Sequence, residues 1–124
     1  MKVLAALLLL ASAAYPADDG FAKWWPRFQA AVKSGDAKTV AAGAPFPMHW
    51  ENGPVRDIES EAEFVRGFDT YFTSDMKRAV ATKKADKIPD GYMITWKARG
   101  NEYSLYFKPS GGGFVLNGLS EGPP

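Results

Sequence analysis

Apolar residues recur along this chain with two periods, and the change of period divides it. Phe21, Trp24, Trp25, Phe28, Ala31 and Val32 return every three or four residues, which places them on one stripe of a helix. Asp18-Asp19 supplies a cap and Gly35 a stop, because glycine enters the left-handed conformation without a Cβ penalty. Pro26 interrupts the stripe. Lacking an N–H, it either kinks the helix or moves its regular part to begin near Trp25. Asp36 caps a short helix over Ala37 to Ala42, stopped by Gly43 and Pro45. A second stripe, Phe64, Val65, Phe68, Tyr71 and Phe72, follows Ser60 and Glu63. Those two form a capping box, in which each side chain satisfies a free backbone N–H. Thr73 or Ser74 caps a further short helix through about Ala81.

Between and after these helices the period is two, that of a strand with one buried face. Phe46, Met48 and Trp50 alternate with Pro47, His49 and Glu51. Asn52-Gly53 predicts a tight turn, and Val55 to Ile58 returns behind Pro54 as an edge strand, since proline cannot donate to a ladder. Counting across that turn sets Trp50 opposite Val55 and Met48 opposite Asp57, so Asp57 falls on the apolar face. Lys83, Lys84 and Lys87 then lie in a polar connection closed by Ile88-Pro89-Asp90-Gly91.

From Tyr92 onward the alternation dominates. Tyr92, Ile94, Trp96 and Ala98 form one apolar set and Tyr103, Leu105 and Phe107 the next. Taking Gly100-Asn101 as a two-residue loop pairs Arg99 with Glu102, Trp96 with Leu105 and Ile94 with Phe107. A third strand, Phe114 to Leu119, follows Pro109-Ser110-Gly111-Gly112-Gly113. That glycine run precedes a strand instead of a helix, so it reads as a loop and not as a phosphate cradle. In this last strand periodicity alone does not choose the buried face. The outer face of the meander carries Met93, Thr95, Tyr106 and Val115 among polar residues. Together these elements predict an α+β fold: a curved antiparallel sheet packed on two amphipathic helices.

The start of the chain has another character. Lys2, an apolar run from Val3 to Leu10 and the small residues Ala11 to Ala14 match the parts of a secretory signal peptide. Residues 1–14 are therefore expected to be removed, leaving one domain over 15–124. The run is too short to span a bilayer, which needs about 20 residues. The sequence contains no cysteine. A domain of this size can bury about two-thirds of its unfolded surface without crosslinks, so export does not demand disulfides. Lys and Arg number 15 against 14 Asp and Glu, and Lys2 departs with the leader. The resulting balance argues against nucleic acid as a partner, because phosphate binding needs a basic excess.

Phe28, Ala31, Val32, Gly35-Asp36, Phe46-Pro47, Glu63-Phe64, Tyr103, Leu105, Phe107 and Gly118-Leu119 are arranged in a way that resembles small exported bacterial proteins of the nuclear transport factor 2-like, cystatin-like superfamily. The resemblance implies a cone, a bent sheet wrapped on helices with a pocket between them. It covers enzymes of the ketosteroid isomerase and polyketide cyclase kind, which place an Asp, or an Asp and His, inside the cone. It equally covers binding modules without chemistry, so architecture does not decide activity.

Trp24, Phe28, Trp50, Asp57, Phe68, Phe72 and Trp96 are the candidate pocket residues. Asp57 on an apolar face would have a raised pKa and could serve as a general base. Aromatic stripes at helical spacing are also what a core requires. His49, the single histidine, is out of phase with the apolar set and is expected to face away. With one His and no Cys, no metal or other cofactor is expected. The best-supported function is an exported module for a small apolar or aromatic ligand. An isomerase- or dehydratase-like enzyme using Asp57 is one alternative. A structural envelope protein associating as a weak homodimer through its outer sheet face is the other.

Overall fold

A computed structural model of the protein describes residues 19–124. The expected leader, residues 1–14, lies outside the described residues.

Helix α1, Phe21–Ser34, forms where the first apolar stripe predicts it, with Pro26 inside it. Asp19 Oδ1 accepts the Phe21 N–H at 3.0 Å, capping a free donor. At the other end Gly35 has φ 75°, and the N–H of Asp36 reaches back to the carbonyl of Ala31 at 2.9 Å. Asp36 then caps α2, Ala37–Ala41, by accepting the N–H of Thr39. Phe28, Ala31, Val32, Val40 and Ala41 are all buried.

The second predicted stripe splits in two. Ser60 caps α3, Glu61–Arg66, which ends at Gly67; α4, Phe68–Tyr71, follows at once. Gly67 lies against the ring of Tyr71, where a Cβ would sit 2.7 Å from Cε2. Any other residue would push that ring away. Thr73 caps α5, Ser74–Thr82, whose inward residues are Met76, Ala79 and Val80.

Six strands form one open sheet: β1 Met48–Glu51, β2 Asp57–Ile58, β3 Asp86–Ile88, β4 Gly91–Ala98, β5 Asn101–Ser110 and β6 Gly113–Gly122. Their order is β2-β1-β6-β5-β4-β3. The expected antiparallel sheet is mixed, because β1 runs parallel to β6. Some 60 residues of helix and strand separate those two in sequence, so no tight turn dictates their relative direction. The expected polar connection also contains a strand, β3, which pairs with the start of β4. Its sequence, Asp86-Lys87-Ile88, lacks apolar alternation because an edge strand of this length buries almost nothing.

Two hairpin registers differ from expectation, and a bulge sets the face of the last strand, which periodicity left open. In the β4–β5 hairpin the loop is Arg99-Gly100, so Trp96 faces Tyr103 and Ile94 faces Leu105. Both loop residues have positive φ, 51° and 81°, as a type I′ turn requires, and that turn matches the twist of the strands. The shift is two residues, so every side chain keeps its predicted face. In the β1–β2 hairpin the shift is one residue, and the consequence is opposite: Met48 pairs with Ile58, and His49 with Asp57. In β6 a bulge between Tyr106 and Phe107 of β5 leaves Asn117 without a partner. Leu116 faces Phe107 and Leu119 faces Leu105. Both are buried although they lie three positions apart, an odd spacing that plain alternation would put on opposite faces. The bulge reverses the alternation, which is why no single period describes this strand.

The inner face of the sheet carries Met48, Ile58, Ile94, Leu105, Phe107 and Leu116, all fully buried. Against it α1 packs on α2, α5 and β6, while α5 packs on β4. One continuous apolar cluster results. Within it, Phe21, Trp24, Trp25, Phe28, Phe107 and Phe114 make one aromatic group. Phe64, Phe68, Tyr71, Phe72 and Trp50 make a second.

Candidate functional site

Trp50, the penultimate residue of β1, is 4% exposed, and just past the strand the chain turns over it. Asn52 adopts φ 60° and the N–H of Gly53 returns to the Trp50 carbonyl at 3.2 Å. This lays the Gly53 main chain on the pyrrole edge of the indole, where a Cβ would collide with the ring. Trp50 also meets Tyr71 edge to face at 5.8 Å. Its indole nitrogen is buried with no hydrogen-bond partner among the described residues. A buried donor without an acceptor costs about 1–3 kcal/mol, a cost that an incoming acceptor or a water can relieve.

Around Trp50 opens a cleft of about 420 Å³. One wall is the β1–β2 loop, with Asn52, Gly53 and Pro54; a second is the α4–α5 junction, with Thr70, Tyr71, Thr73 and Met76. The third is the end of the sheet, where Arg99, Tyr103 and Glu121 converge. Turn geometry places Arg99 at the hairpin tip. Its guanidinium lies over the Tyr103 ring at 5.6 Å and donates to Asp75 Oδ2 at 3.1 Å and to Tyr103 Oη at 3.2 Å. The register sets Tyr103 against Glu121. The Tyr103 hydroxyl, and then the Asp75 and Glu121 carboxylates, hold the Arg99 pKa above its ordinary value. Burial, and next the Glu63 carboxylate that accepts its hydrogen bond at 3.2 Å, push the Tyr71 phenol upward too. The walls therefore offer a cation, phenol and threonine hydroxyls, an amide and, in Glu121, a carboxyl group. Such a set can orient a ligand.

Of the candidate pocket residues, Trp50 lines this cleft and the other six do not. Asp57 is the clearest correction. The one-residue register shift puts it on the outer face, where its carboxylate lies 3.1 Å from His49 Nδ1, with side chains 31% and 66% exposed. The expected apolar surroundings of a general base are absent there. Phe28, Phe68 and Phe72 are core residues, the last two stacked at 4.9 Å. Trp24 is half-buried and stacks on Phe28 at 4.9 Å. Trp96 stacks on Tyr103 at 5.6 Å and borders a different groove, beside α5. His49 faces outward, as its phase predicts.

The sequence reading assigns no site role to Arg99, Tyr103, Glu121 or Tyr71. Their convergence needs a sheet register and a helix break that are not local signals. Asn52-Gly53 beside Trp50 was the one sequence signal at the cleft.

Among the described residues no cluster of His, Cys, Asp and Glu is arranged to hold a metal ion, and no helix is long and apolar enough to cross a membrane. No protein-family model and no curated protein matches the sequence. Among solved structures, the chain is similar to a nuclear transport factor 2-like (NTF2-like) protein with a cystatin-like fold from Novosphingobium aromaticivorans. The two are 11% identical with a TM-score of 0.43, over 98% of this chain and 88% of that one. The α+β architecture rests on the elements described above.

Proposed function

We propose that this chain is an exported, nuclear transport factor 2-like module that binds a small, flat, largely apolar ligand carrying a hydrogen-bond acceptor, in the cleft over Trp50. The observation that carries the reading is the Trp50 indole N–H, buried without a partner at a cleft of ligand size. Ligand sites combine an apolar floor with a few placed polar groups, and here Tyr71, Tyr103 and Arg99 stand around that floor. A binder is favoured over an isomerase- or dehydratase-like enzyme because Asp57, the base that reading required, pairs with His49 on the outer face. The leader-like composition of residues 1–14 supports export. Association of two copies through the outer sheet face is a subsidiary proposal, supported by the half-buried Met93 and Tyr106 there.

A fragment library of substituted benzoates and phenyl ketones, screened by NMR, tests the site. Hits should shift the Trp50 indole proton, and Trp50→Phe, which keeps an aromatic ring and removes the donor, should weaken them about 3- to 10-fold, the worth of one hydrogen bond. A screen in which no fragment moves that proton, or in which Trp50→Phe binds every hit equally well, would sink the assignment.

A further inference from the structure

Strand β4 is longer than the neighbour on its outer side. β3 pairs with Gly91, Tyr92 and Met93 and there stops, whereas β4 continues to Ala98 and β5 accompanies it throughout. Beyond Met93, β4 is thus an open edge of the sheet.

The direction of its backbone groups follows from the two turns. Ile88 and Gly91 flank the two-residue loop Pro89-Asp90, and Ala98 and Asn101 flank Arg99-Gly100. In each case the flanking pair exchanges hydrogen bonds, and bonded residues alternate along a strand. Even-numbered residues of β4 therefore turn their N–H and C=O toward β5, and odd-numbered ones toward β3. Thr95 and Lys97 present theirs to the open edge.

Proteins usually blunt such an edge, with charges among other devices. Here three of the four charged residues lining the edge, Arg78, Lys83 and Lys97, are basic. A groove runs between this edge and α5, floored by Trp96 and Ala79 and bordered by Arg78, Lys83 and Lys97. Its one acid, Asp75, is already shared by Arg78 at 3.6 Å and Arg99 at 3.1 Å. Lys83 and Lys97 form no ion pair among the described residues, although Lys97 faces Glu102 in the ladder.

We propose that the open edge of β4 is a docking site for an extended, acidic peptide segment of a partner protein, which adds as a short strand in line with β3. Main-chain pairing with Thr95 and Lys97 supplies register, and the cations of Lys83, Lys97 and Arg78 select carboxylate side chains. Alternate peptide residues face Trp96 and Ala79, so small apolar side chains between the acids fit. The site is separate from the cleft over Trp50, and each can fail without the other.

The test titrates ¹⁵N-labelled protein with the synthetic peptide acetyl-Glu-Val-Glu-Val-Glu-amide. The amide protons of Thr95 and Lys97 should move downfield and exchange more slowly with solvent. The double charge reversal Lys83→Glu with Lys97→Glu, at two exposed positions, should weaken binding about tenfold or more while leaving the fold unchanged. A peptide with N-methylated main chain should not bind. Equal affinity for the Lys-for-Glu peptide, binding that survives N-methylation, or shifts confined to residues around Trp50 would each overturn the proposal. So would binding to phosphatidylglycerol vesicles with no response to the peptide, which would assign the cations to a lipid surface. Protection of Thr95 and Lys97 that rises with protein concentration alone would give the edge to a second copy and likewise overturn it.

Discussion

Asp19 ties the start of α1 to the far side of the sheet. Its carboxylate accepts the Phe21 N–H, the Tyr92 hydroxyl at 2.8 Å and the Lys87 ammonium at 3.4 Å. Burial alone would raise its pKa, but the Phe21, Tyr92 and Lys87 donors together lower it below 3.8. A carboxylate with a depressed folded pKa stabilises the fold above its unfolded pKa, and that stability is lost as pH falls through the folded value. Asp19→Asn should therefore cost about 1 kcal/mol at pH 7 and progressively less below about pH 4, measured by urea unfolding at each pH. A penalty unchanged down to pH 2 would mean that the side chain acts through shape and not through charge. The pairing of Asp19 with Phe21 is a helix-capping pattern legible in the sequence. Its bond to Tyr92 is not, because 73 positions separate the two and only the packed sheet brings them together. Asp57 shows the converse: its register lies one residue from the one its local pattern predicts, and that residue decides which side of the sheet it occupies.

At the scale of elements, helices were more legible than registers. Stripe, cap and stop mark α1, cap and stop mark α2, and a cap marks the start of α5, so local sequence contains what local structure needs. The break at Gly67 depends on the Tyr71 ring lying against it, and the parallel pairing of β1 with β6 depends on contacts remote in sequence. The bulge in β6 makes the strongest element-level prediction. Asn117 is the exposed extra residue. Its replacement by Ala should change stability by less than about 0.5 kcal/mol. Its deletion should be mild, because Leu116 opposite Phe107 then adjoins Gly118 opposite Tyr106 and plain alternation keeps Phe114, Leu116 and Leu119 inward. Deleting Gly118 as well should be severe, because that turns either Leu119 or the pair Phe114 and Leu116 out of the core. Each buried Leu or Phe so exposed costs about 1.5–3 kcal/mol. Denaturant titration of the three variants checks this, and a double deletion as stable as wild type would show that β6 absorbs the lost residues elsewhere.

The whole molecule combines a leader-like start with a folded part whose apolar groups share one cluster. Protein recovered from the native host should begin at Ala14 or Tyr15, as mass spectrometry of the mature chain would show; intact Met1 in the cytosolic fraction would end the proposal of export. What the sequence determined by itself is the set of elements and, for most of them, the side that is buried, because period, caps and turn residues act within a few positions. The α+β class and the inward set Met48, Trp50, Ile94, Trp96, Leu105 and Phe107 follow from that alone. Only the tertiary structure decided the mixed sheet order, the outward placement of Asp57 and the meeting of Trp50, Tyr71, Arg99, Tyr103 and Glu121 around one cleft. Those outcomes turn on registers, where neighbouring alternatives differ by one residue in sequence and by a whole face of the sheet in space.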